Sequence, residues 1–80
     1  MTVHRIDRWN LEVSDTNRKA VLPVEASYDG GILSVFLDRL THWSQPPQEP
    51  VTPTQRAEIR REIERSYEGS GIRLEFDPAT

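Results

Sequence analysis

Four prolines fall within eight residues, at positions 46, 47, 50 and 53, and they run directly into the best-signalled helix of the chain. Proline lacks an N–H and holds φ near −65°, so helix is forbidden before Thr52 and the segment is stiff and extended. At Thr52 the pattern reverses. Thr52 suits the N-cap, Pro53 suits the first helical position, and Gln55 lies three residues after the threonine. This is a capping box: the hydroxyl accepts from the Gln55 N–H while the Gln55 side chain reaches back to the Thr52 N–H. Ile59, Ile63 and Tyr67 follow at intervals of four and share one face, and Gly69 ends the run as a left-handed cap. The spacing predicts a helix over 53–68 behind an ordered proline loop over 44–52.

The other faces of this helix carry Arg56, Glu58, Arg60, Arg61, Glu62, Glu64, Arg65 and Glu68. Opposite charges recur at helical spacing, in Glu58–Arg61, Arg60–Glu64 and Glu62–Arg65, which describes a solvated face that neutralises itself. The alternative use of such a face is to dock a polar partner.

Upstream, the period changes from helical to alternating. Trp9, Leu11 and Val13 point one way and Asn10 and Glu12 the other, the mark of a half-buried strand. That strand is read over 3–13, with Ile6 on its outer face, and Ser14 to Asn17 form the following turn. A second strand over 20–28 puts Ala20, Leu22, Val24, Ala26 and Tyr28 toward the core, and Val21, Pro23 and Glu25 away from it. Pro23 argues for an edge position or a bulge. Asp29-Gly30-Gly31 is a tight-turn signal, because glycine accepts positive φ without strain. A turn there pairs Ala26 with Leu33, Val24 with Val35 and Leu22 with Leu37 on a third strand over 31–37, so turn and pattern agree on register. Residues 38–43 read equally as more strand or as a helical turn. Ile72, Leu74 and Phe76 mark a short final strand over 72–76. The expected fold is α+β: a three-stranded antiparallel meander, the proline loop, one amphipathic helix on the sheet, and a last strand brought by crossover beside the first and parallel to it.

Eighty residues make one small domain, and the absence of cysteine excludes disulfides and thiolate sites. Two histidines are too few for an ordinary structural zinc site. A net charge of −3 with interleaved arginines offers no basic stripe for phosphates, so no nucleic-acid partner is expected, and the field is too weak for a nucleic-acid mimic. No apolar run approaches the roughly 20 residues of a membrane span, and the N-terminus lacks an apolar signal core. These features describe a cytoplasmic chain without membrane contact. Asp38 and His42 lie four apart and pair if that segment is helical, but Ser34, Thr41 and Ser44 are not placed as activated nucleophiles. The residues therefore indicate no enzyme, no cofactor and no metal.

The set Trp43, Pro46, Glu49, Pro50, Val51 and Thr52, followed by Ile59, Ile63 and Gly71, resembles the immunity-protein family numbered seventy-four of bacterial polymorphic toxin systems. The resemblance runs from Leu22 to Phe76, and Glu25 resembles a strand glutamate of that family. It implies a non-enzymatic inhibitor that occludes a cognate toxin; the chain itself is expected to be a monomer or weak homodimer. The partner-contact candidates are Glu25, Tyr28, Trp43 and Glu49. Beside these readings stand plainer ones: a solvent-facing glutamate at 25, and a tryptophan at 43 that lids the core beneath the proline loop. Two other functional classes fit the same composition, a phage- or plasmid-encoded inhibitor of a host defence nuclease and a small self-associating structural module.

Overall fold

The computed structural model describes residues 1–45 and 49–76. Among them five strands form one mixed sheet in sequence order: β1 (Thr2–Arg5), β2 (Asn10–Ser14), β3 (Lys19–Ala26), β4 (Ile32–Val35) and β5 (Arg73–Phe76). A single 3-10 turn covers Leu37–Arg39, and the helix α1 covers Pro53–Ser66. The α+β class is as expected. The meander is larger than expected, because the stretch read as one strand over 3–13 is a hairpin. Asp7 breaks it: its carboxylate accepts from the Trp9 N–H at 2.8 Å and from the Asn10 amide at 3.1 Å, which turns the chain between β1 and β2.

The last strand does not join the first: among the described residues β1 is one edge of the sheet and pairs only with β2, and β5 lies parallel to β4 at the other edge, with Leu33 beside Leu74 and Val35 beside Phe76. The crossover through α1 leads to a parallel pairing, but with β4, where the expected partner was the first strand. The Arg73 N–H donates to the Gly31 carbonyl at 2.8 Å and starts this pairing at the β3–β4 turn.

The register of β3 against β4 is as the alternation predicts: Ala26 opposes Leu33 and Val24 opposes Val35. The third expected pair does not form as strand, since Leu37 has entered the 3-10 turn, although it is buried. Ala20, Leu22 and Val24 are buried as expected, but Tyr28 is beyond the end of β3 and fully exposed. Trp9 departs from expectation too. Held at the bend before β2, it is 54% exposed although its parity matches buried Leu11 and Val13.

α1 begins with the capping box in full. The Gln55 N–H donates to Thr52 Oγ1 at 3.1 Å, and the Thr52 N–H donates to Gln55 Oε1 at 3.0 Å. The helix stops at Ser66, two residues short of the expected end, and Gly69 takes a φ of +76° just beyond it. Ile59 and Ile63 are wholly buried against Leu11, Val13, Leu22, Leu33 and Val35, so the helix covers one face of the sheet. Burial of each such side chain stabilises by about 1.5–3 kcal/mol. Arg60–Glu64 and Glu62–Arg65 pair at 3.6 and 3.1 Å, while Glu58–Arg61 is not among the ion pairs of the described residues. Arg56 leaves the solvated face: its Nη2 donates to the Leu40 carbonyl at 2.7 Å.

Prolines 46 and 47 and Gln48 lie outside the described residues. The rest of the loop is tied by backbone bonds. The Trp43 N–H donates to the Glu49 carbonyl, the Val51 N–H to the Thr41 carbonyl, and Lys19 exchanges bonds with Gln45. No described helix is long and apolar enough to cross a membrane.

Candidate functional site

Because α1 lies on one face only, the opposite face of the sheet is its polar one. It follows the second parity of each strand: His4 opposes Glu12, Glu12 opposes Val21, and Glu25 opposes Ser34, which is paired with Glu75 on its other side. Glu25 is exposed there, one residue before the end of β3, as its alternation requires.

The β3–β4 turn projects from the end of this face. Gly30 donates to the Ser27 carbonyl at 2.9 Å and carries a φ of +76°, so the reversal centres on Tyr28 and Asp29, one residue earlier than Asp29-Gly30. The extra residue is absorbed at the glycines, and the strand register survives. Side chains lock the turn. Asp29 Oδ1 accepts from the Ser27 hydroxyl at 2.8 Å and from the Gly31 N–H at 2.9 Å, while the Ile32 N–H donates to Ser27 Oγ at 3.0 Å. The Gly31 N–H and then the Ser27 hydroxyl hold the Asp29 carboxyl below its ordinary value, since both stabilise the charged form. Tyr28 is therefore displayed, wholly exposed, on a turn with a defined conformation.

Topology sets a second exposed group at the same end. Asn10 pairs with Pro23, so the β1–β2 turn lies beside the C-terminal half of β3. Ile6 is 46% exposed and Trp9 54% exposed on that turn. The Trp9 N–H, the strongest influence, holds the Asp7 carboxyl below its ordinary value against the opposing effect of desolvation, with help from the Asn10 side chain. Neither residue stands among the four partner candidates, because parity placed Trp9 in the core. The available signal was Asp7 followed three residues later by Asn10, an Asx-type turn inside an apparently continuous strand.

The other two candidates lie elsewhere. Trp43 is 2% exposed, with its Nε1 donating to Gln55 Oε1 at 3.3 Å and the Arg18 guanidinium 5.5 Å from its ring centre. It is a core residue, and its reading as a surface anchor is corrected on that ground. Glu49 is half-buried and its carboxylate meets Arg18 at 3.3 Å. Arg18 precedes β3, at the end of that strand opposite the Tyr28 turn. The structure thus keeps Glu25 with Tyr28, and Trp43 with Glu49, as two separate pairs.

The Asp38–His42 pairing does not form. Asp38 belongs to the 3-10 turn, and His42 Nδ1 lies 3.1 Å from Thr41 Oγ1. No cluster of three metal-ligating side chains occurs among the described residues. What the geometry offers chemically is an exposed aromatic on a hydrogen-bonded turn, beside a polar strand face that carries Glu12, Glu25 and Glu75 together with Lys19 and Arg73. Comparison with family models, with curated proteins and with solved structures gave no match.

Proposed function

We propose that this chain is a non-enzymatic protein-binding inhibitor, an immunity protein that neutralises a cognate bacterial toxin by occlusion. The observation that carries the proposal is Tyr28, wholly exposed on a hydrogen-bonded turn next to exposed Glu25. With the turn backbone already fixed, a tyrosine has only two side-chain torsions to order on binding, and tyrosine is enriched among the residues that dominate interface energetics. Glu25 would add charge complementarity to a basic partner, acting mainly on association rate and specificity. The likeness of the Trp43–Thr52 stretch to immunity proteins supplies the class of partner.

The test is co-expression with whatever toxin domain a neighbouring gene encodes, and a neighbourhood without one counts against immunity. Wild type should restore growth and co-purify with the toxin. Tyr28→Ala should weaken the complex about 30-fold or more, equivalent to about 2 kcal/mol. Glu25→Lys should slow association and reduce its dependence on salt. Absence of rescue by a folded wild-type chain would count against immunity. Unchanged affinity in both variants would move the surface away from this hairpin.

A further inference from the structure

We propose that the outer edge of β5 is a self-complementary interface through which two copies of this chain pair antiparallel, about a two-fold axis at Leu74, to make one continuous sheet. In a parallel ladder, alternate residues turn both backbone groups to the neighbouring strand. Arg73 does so toward β4, donating to the Gly31 carbonyl at 2.8 Å. Leu74 and Phe76 therefore direct their N–H groups outward, and Ile72 and Leu74 direct their carbonyls outward. The Ile72 N–H is already used, donating to Ser70 Oγ at 3.1 Å. Among the described residues no strand pairs with this edge.

An antiparallel copy centred on Leu74 uses each of those groups. Leu74 N–H donates to the Leu74 carbonyl of the second copy and the reverse, and each Phe76 N–H donates to the opposing Ile72 carbonyl. The Ser70 hydroxyl ends the ladder where it would otherwise continue. The same register places Arg73 opposite Glu75 twice, in the non-hydrogen-bonded position where side chains approach most closely. Both are exposed, and neither has an ion-pair partner among the described residues. On the helix side, Leu74 meets Leu74 and Ile72 meets Phe76, all half-buried in the single chain and packed at the margin of its core. The other edge contrasts with this. In β1, centring on Val3 puts Thr2 opposite His4, and centring on His4 puts Val3 opposite Arg5, so neither register opposes unlike charges. Within Arg73–Phe76 there is also no proline, lysine or bulge of the kind that blunts an exposed strand edge.

The joined strands are short, so association is weak, with a dissociation constant between about 10 µM and 1 mM. Sedimentation of the full chain across that range should show a monomer–dimer equilibrium. Arg73→Glu and Glu75→Arg each set like charges opposite one another and should weaken it about ten-fold. The double variant Arg73→Glu with Glu75→Arg restores unlike pairs and should recover wild-type association. Circular dichroism of each variant checks that these exposed substitutions leave the fold intact. Amide exchange gives a readout in the unaltered protein: Leu74 and Phe76 should become protected as concentration rises. A chain that stays monomeric at about 1 mM overturns the proposal. So does a dimer that the single reversals leave unchanged, or one in which the Leu74 and Phe76 amides stay unprotected. These outcomes are independent of any toxin, because Glu25 and Tyr28 are not on this edge.

Discussion

The β3–β4 hairpin and the Trp43–Gln55 junction are both held by side-chain hydrogen bonds, yet they do opposite things with an aromatic ring. At the hairpin, Ser27 and Asp29 bond the backbone of the turn itself and leave Tyr28 wholly exposed. At the junction, Gln55 Oε1 accepts from both the Thr52 N–H and the Trp43 indole, so one amide oxygen joins the helix cap to a buried ring. The first arrangement stabilises a local shape whatever surrounds it. The second couples the start of the helix to the core, and Val51 is buried beside it. A rigid turn can thus display a side chain at little cost to the fold, whereas the ring at the junction cannot be removed without loosening two elements.

Trp43→Ala breaks the comparison most sharply. It should cost about 3–5 kcal/mol, much of the stability available to a domain of this size, as a large fall in the denaturation midpoint. Gln55→Ala should follow at about 1–3 kcal/mol, because it leaves the buried indole N–H without its acceptor and opens half of the capping box. Thr52→Ala removes only the hydroxyl arm of the box and should cost about 1 kcal/mol. If it costs as much as Gln55→Ala, the coupling to Trp43 contributes nothing beyond the cap. Tyr28→Ala should shift stability by less than about 0.5 kcal/mol, since the exposed ring supports no packing. A large loss there would mean that the turn depends on its aromatic.

The smallest effect concerns pH. The folded-state pKa of Asp29 lies below its ordinary value of 3.8, so ionised Asp29 favours the folded state. That contribution is present above 3.8 and is lost as pH falls through the lower folded value. Asp29→Asn should therefore flatten the acid limb of the unfolding curve measured below about pH 4, with little change at neutral pH beyond the lost charge-assisted bonds. An acid limb unchanged in Asp29→Asn would show that the carboxylate does not order the turn.

Local chemistry by itself determined the capping box, the Ile59–Ile63 face, the helix start and the β3–β4 register. In each, the groups that decide the structure lie within a few residues of one another, or alternate along a single strand. Even the shift of the turn to Tyr28-Asp29 left that register alone, because buried Val24 and Val35 must share a face. Tertiary structure decided the rest. Trp9 has the parity of a core residue, but Asp7 bends the chain and leaves the ring at the sheet's end. Trp43 could have served as anchor or lid, and only the approach of Gln55 and Arg18, 12 residues after it and 25 before it, selects the lid. The place of β5 beside β4 and not beside β1 depended on pairing between strands far apart in the chain, which no local pattern records.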